Sequence, residues 1–128
     1  MMLRSVKTAF FIVLGLSLLL FFFRLGDRSF RNPDEGRYAE IAKEMVQSGN
    51  WVQPRLYGID YLRKPILFYW LVAASFKVFG FSEWGARLVP ALFGIFGVAT
   101  TFFFTRRILD LKTAFYAAMI LATNVLYL

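Results

Sequence analysis

Among the 128 residues there is no histidine and no cysteine. Their absence removes the commonest proton shuttle and metal ligand, any Ser-His-Asp arrangement, any thiol nucleophile and any disulfide framework. Chemistry in this chain must come from carboxylates, Lys, Arg, Tyr or backbone groups. Seven of the eight acidic residues fall between Gly26 and Glu83, which marks that stretch as the working surface. Within it, Asn32-Pro33-Asp34-Glu35 reads as a helix start. Asn32 can cap, Pro33 suits the first helical position, and the two acids favour the positive helix end. Asp34 and Arg37 stand three apart and project from one side of that first turn. An anion docked there would meet free backbone amides and a guanidinium, with a carboxylate alongside. A plainer reading is local: the acids complement the helix dipole and Arg37 pairs with Asp34. Lys64, directly before Pro65, reads on its own as a lysine snorkelling to a membrane interface, and Arg63 as a second interface cation.

The elements that must position these residues are apolar. Hydrophobic residues make up 59% of the chain and charged residues 18%, against ~45–50% and ~25% in soluble domains. Thr8–Phe23 is a run of 16 uncharged residues closed by Lys7 and Arg24. With Leu25 it is just long enough to cross a ~30 Å hydrocarbon core. The following RLGDRS lacks a small-x-small cleavage site, so the run reads as an uncleaved anchor rather than a secretory signal peptide. Leu88–Thr105, with Pro90 in its first turns, is a second span, and Thr113–Leu128 a third. Nothing polar follows Leu128, so the sequence reads as the N-terminal part of a longer chain. Pro65–Phe76, PILFYWLVAASF, has 12 residues before Lys77, the length of an interfacial, re-entrant or buried helix.

The net charge of +7 is topological in origin. The basic residues flank apolar runs instead of forming one patch, which fits membrane orientation and argues against nucleic-acid binding. Arg106–Lys112 carries three basic residues in seven and should be cytoplasmic, as should the N-terminus with Arg4 and Lys7. The two placements agree if two spans lie between them, which leaves Pro65–Phe76 at the outer interface. Between the first two spans, Tyr38, Ile41, Ala42 and Met45 give the i, i+3, i+4, i+7 pattern of a helix with one buried face, stopped by Gly49. Trp51–Tyr61 reads as irregular, with aromatic residues suited to the headgroup region. The expected fold is all-α and integral to a membrane. It has about three transmembrane helices (8–25, 86–105 and a truncated 113–128), a cytoplasmic loop 106–112, and two juxtamembrane helices (33–48 and 65–78) in an external or periplasmic loop 26–85.

The string NPDEGRYAEIAKEMVQSGNWVQPRLYGIDYLRKPILFYWL resembles the first external loop of GT-C glycosyltransferases that use a polyprenyl-phosphate sugar. Its pattern is D-E-x-R-Y-A-E, then M-x-x-S-G-x-W-x-x-P, then Y-x-x-K-P and Y-W. The likeness runs from about Asn32 to Trp70 and continues more weakly through Gly85-Ala86-Arg87. It points to transferases like the 4-amino-4-deoxy-L-arabinose lipid A transferase, grouped with the dolichyl-phosphate-mannose protein mannosyltransferases. That resemblance implies a fragment of a GT-C multi-span fold in the cytoplasmic (inner) membrane, covering its first quarter or so. It implies a sugar moved from a polyprenyl-phosphate donor to a lipid or protein acceptor on the outer side, with membrane lipids as further partners. By the same resemblance Asp34 is the catalytic carboxylate, as general base or orienting group for the acceptor. Arg37 and Lys64 hold the lipid-linked phosphate, where cations stabilise the charge of the leaving group. Tyr61 shapes that phosphate pocket. Glu35 is the second acid, the residue a divalent metal ion would draw on. Where some relatives carry an acid before Lys-Pro, this chain has Arg63, which weakens the case for a metal site.

A reading from a different class makes the chain a small non-catalytic membrane protein, an accessory subunit or lipid-binding module. It accounts for a stand-alone chain without a missing remainder; a third reading, a lipid-phosphate transporter, would reuse the same cations but does not explain the D-E-x-R-Y-A-E string. If the chain is instead part of a transferase, 128 residues would be inactive alone.

Overall fold

The structure, a computed structural model, describes residues 5–23, 25–27 and 33–124. Arg4, Arg24, the proposed cap Asn32 and the last four residues of the third apolar run lie outside the described residues. The elements are α1 (Val6–Phe22), α2 (Pro33–Ser48), β1 (Arg55–Leu56), β2 (Ile59–Asp60), α3 (Ile66–Phe79), α4 (Glu83–Ile108) and α5 (Leu111–Ala122). The fold is helical. The chain forms two compact units, one of residues 1–23 and 90–128, the other of residues 24–89, and the division falls inside α4 between Val89 and Pro90.

In the first unit α1 packs on α5. Ala9, Val13, Ser17 and Phe21 recur every fourth residue along α1 and are buried; so are Ala114, Ala118 and Ala122 along α5. The alanines of α5 are small side chains at that spacing, which let helix backbones approach closely, as at membrane helix interfaces. Ser17 is polar but donates to the carbonyl of Val13 at 2.8 Å, so its hydroxyl is satisfied within the helix. Phe10 packs against Phe103 of α4, the rings tilted with centres 4.8 Å apart.

Among the described residues one helix, α4, is long and apolar enough to cross a membrane, and only 28% of its apolar window is buried. At ~1.5 Å per residue it reaches ~39 Å. Leu92, Phe93, Phe96, Phe103 and Phe104 stand exposed along it, a face suited to lipid rather than water. The helices α1, α3 and α5 are apolar but shorter. Because α4 begins at Glu83, Pro90 sits in its interior rather than its first turns and withholds an amide from the carbonyl of Ala86. Arg106 and Arg107 belong to the last turn of α4, where cations suit the negative helix end. The link to α5 is then short. Asp110 caps α5 by accepting from the Lys112 amide and the Thr113 hydroxyl, bonds that hold its carboxyl below the usual carboxylate range, the Thr113 bond most.

In the second unit α2 packs on α3. Ile41, Ala42 and Met45 of α2 meet Tyr69, Val72, Ala73 and Phe76 of α3 in one buried cluster. Gly49, at φ +71°, closes α2, a conformation glycine adopts without strain. Trp51–Tyr61 is not wholly irregular. Arg55–Leu56 and Ile59–Asp60 pair antiparallel, with Arg55 opposite Asp60. Tyr57 and Gly58 turn at φ +54° and +79°, the two left-handed residues a tight hairpin requires. Both carboxylate oxygens of Glu44 on α2 accept amides of this turn, from Tyr57 and Gly58, and Arg55 pairs with Asp60 at 3.1 Å.

Candidate functional site

A shallow, partly open cleft in the second unit is lined by Asp34, Arg37, Tyr38, Tyr61, Lys64 and Tyr69. The first two turns of α2 supply Asp34, Arg37 and Tyr38, three residues that share a face by their i, i+3, i+4 spacing. Tyr61 and Lys64 come from the segment between the hairpin and α3. That segment is fixed at its start, where the Tyr61 amide donates to the Pro54 carbonyl at 2.8 Å. Tyr69 comes from the first turn of α3, its ring 5.5 Å from that of Tyr38.

Asp34 stands between two cations. One carboxylate oxygen is 3.1 Å from the Arg37 guanidinium, the other 3.7 Å from Lys64 Nζ. Lys64 also donates to the Tyr38 hydroxyl at 2.8 Å. That bond pushes the Lys64 pKa above its ordinary 10.5, against a lowering from desolvation and with help from Asp34. All three charged side chains are about half exposed, so their pairing is adjustable and open to competition from a bound anion. One carboxylate facing two cationic donors is a layout for holding a phosphate beside an acid–base group.

Glu35 is not part of the cleft. Its carboxylate meets Arg87 of α4 at 3.2 Å, and the same guanidinium donates to the Leu25 carbonyl at 3.1 Å. Among the described residues no three acids cluster in a way that could hold a metal ion, and the cleft contributes one carboxylate against two cations. The described residues do not by themselves make up a metal site. Tyr38, read from the sequence only as a buried-face residue of α2, and Tyr69, not singled out there, also line the cleft. Arg63 is exposed and does not line the cleft.

A family model described as dolichyl-phosphate-mannose-protein mannosyltransferase matches residues 63–128, just over half of the chain. The chain belongs to this family. An undecaprenyl phosphate-alpha-4-amino-4-deoxy-L-arabinose arabinosyl transferase 2 of Pseudomonas fluorescens is 38% identical over 104 residues, 81% of this chain and 19% of that protein. An uncharacterized protein of Aquifex aeolicus is 37% identical over 120 residues, 93% of this chain and 24% of its own length. Among solved structures, ArnT from Cupriavidus metallidurans in the apo state superposes with a TM-score of 0.81 at 35% identity, over 91% of this chain and 22% of ArnT. The same protein bound to undecaprenyl phosphate gives 0.75 at 36% identity, over 81% of this chain and 19% of ArnT. This mannosyltransferase-family chain thus has the GT-C architecture of ArnT over its matched residues, and spans about a quarter or less of the length of these relatives.

Proposed function

We propose that this segment forms the donor-phosphate side of a membrane glycosyltransferase. The enzyme would take a sugar from a polyprenyl-phosphate carrier and pass it to an acceptor on the outer side of the cytoplasmic membrane. The observation that carries the reading is Asp34 held between Arg37 and Lys64 in a cleft of tyrosines. In the reaction the bond from the sugar's anomeric carbon to the phosphate oxygen breaks, and a bond from that carbon to the acceptor oxygen forms. The acceptor's proton passes to the Asp34 carboxylate, and the phosphate leaves as a monoester carrying added negative charge. Arg37 and Lys64 neutralise that charge as it develops, which is where fixed cations lower a barrier. Tyr61 borders the phosphate. No step is assigned to Glu35 or to a metal ion. The arabinosyl transferase names of the relatives and the undecaprenyl phosphate in an ArnT structure support the donor class. Similarity to named transferases over 81% of the chain weighs for this reading over an accessory or lipid-binding protein.

In this arrangement α4 spans, with α1 and α5 completing the three spans, while α2 and α3 lie along the outer surface. The N-terminus and the link around Arg106, Arg107 and Lys112 face the cytoplasm. A reporter fused after Lys112 should read cytoplasmic; an external reading would overturn that topology. For the chemistry, Asp34→Asn in the full-length protein should lower kcat by ~10²–10⁴. Lys64→Ala should raise the donor KM and lower kcat/KM. Near-normal transfer by both variants would sink the assignment.

A further inference from the structure

Tyr69 is fully buried, at 0% exposure, yet its hydroxyl finds no hydrogen-bond partner among the described residues. An unpaired buried hydroxyl is a standing cost to a fold, and Phe would fill the same space without it. The ring explains itself, because it packs with Ile41, Met45 and Val72 in the cluster between α2 and α3. The oxygen does not. It lies where Tyr38, Tyr61, Lys64 and Asp34 act on it electrostatically, at the inner wall of the cleft those residues line. Asp34, Arg37, Lys64 and Tyr38 bond to one another there and leave no room for a water-sized group, so a phosphate that replaces those bonds is what would reach the Tyr69 hydroxyl. Burial above all pushes its pKa above the ordinary 10, so the group keeps its proton and is available as a neutral donor.

We propose that Tyr69 is a third phosphate-binding residue of the cleft, its O–H donating to a phosphoryl oxygen of the polyprenyl phosphate that Arg37 and Lys64 hold. This rests on the donor-phosphate reading above and adds to it a residue from the opposite helix. The chemistry asks for such a donor. The sugar-linked diester presents two terminal oxygens and the departing monoester three, so a site with two cations gains from one further donor. A neutral phenol serves that third oxygen without adding a charge that would slow release.

The test measures binding of a polyprenyl monophosphate to the full-length protein in detergent, together with its melting temperature without the lipid. Tyr69→Phe should bind the lipid ~10-fold more weakly, as expected for a hydrogen bond to a charged group. It should melt no lower than the parent, because an unpaired polar atom has been removed. Lys64→Ala serves as the reference. If it weakens binding and Tyr69→Phe does not, the inference about Tyr69 falls while the cleft reading stands. If neither variant weakens binding, the cleft reading falls and takes this inference with it. A Tyr69→Phe protein that melts lower, or fails to fold, would show the hydroxyl to be structural and overturn the proposal.

Discussion

Lys64 donates to the Tyr38 hydroxyl at 2.8 Å although 26 residues of chain separate the two. This bond, more than the neighbouring Asp34 carboxylate, raises the Lys64 pKa. A cation with a raised folded-state pKa contributes stability fully below its unfolded value, here 10.5, and loses it as pH rises through the higher folded value. The Lys64 contribution should therefore be flat from about pH 6 to about pH 9 and fade only in strong alkali. Tyr38→Phe should return the Lys64 midpoint toward 10.5, read by NMR titration of the labelled lysine. An unchanged midpoint would mean the bond does not form in solution.

Arg87 ties the start of the second unit together by serving Glu35 and the Leu25 carbonyl at once, from a side chain only 17% exposed. Lysine cannot reproduce that fork. Arg87→Lys should cost about 1–2 kcal/mol in thermal unfolding; a neutral result would make the contact incidental.

The hairpin turn holds a non-glycine residue, Tyr57, at φ +54°, and Glu44 secures it from α2. Glu44→Ala should lose about 1–2 kcal/mol and open the turn to proteolysis near Gly58. Tyr57→Gly should recover part of the loss by relieving the left-handed backbone. Equal cleavage rates in parent and Glu44→Ala would contradict this.

Gly94 of α4 lies directly against the ring of Phe21 in the first unit, leaving no room for a methyl group. Gly94→Ala should destabilise by about 1–3 kcal/mol through overpacking. Adding Phe21→Leu should recover some of it, since the two sites are coupled. Additive losses in the double variant would place the defect elsewhere.

What the sequence made legible was local. The Asp34–Arg37 pair follows from helical spacing, and the stop at Gly49 follows from glycine's freedom at positive φ. Uncharged runs located the apolar helices but do not mark where a helix ends. Helix α4 continues through Glu83, Arg87, Arg106 and Arg107 because a charge ends a hydrophobic stretch without ending a helix. That Glu35 would turn to Arg87, 52 residues away, and that Lys64 would reach Tyr38, depend on how α2 meets α3 and α4, and no spacing rule carries that. Tyr69 left one faint signal. It falls on the same stripe as Val72, Ala73 and Phe76, which marks it as buried, and a buried tyrosine ordinarily needs a partner. The Tyr57-Gly58 turn was hidden because Tyr is an unusual first residue there, and the Glu44 carboxylate that makes it tolerable lies 13 residues upstream.

The grip of Glu44 on that turn bears on more than the hairpin. Tyr61 and Lys64 follow the turn directly, and the Tyr61 amide is held by Pro54, so the chain that delivers them is anchored to the helix that carries Asp34 and Arg37. The two halves of the cleft reach their places during folding. An incoming anion then loses little freedom to the protein's own ordering and keeps more of its interaction energy for discrimination, which is the advantage of a preorganised site.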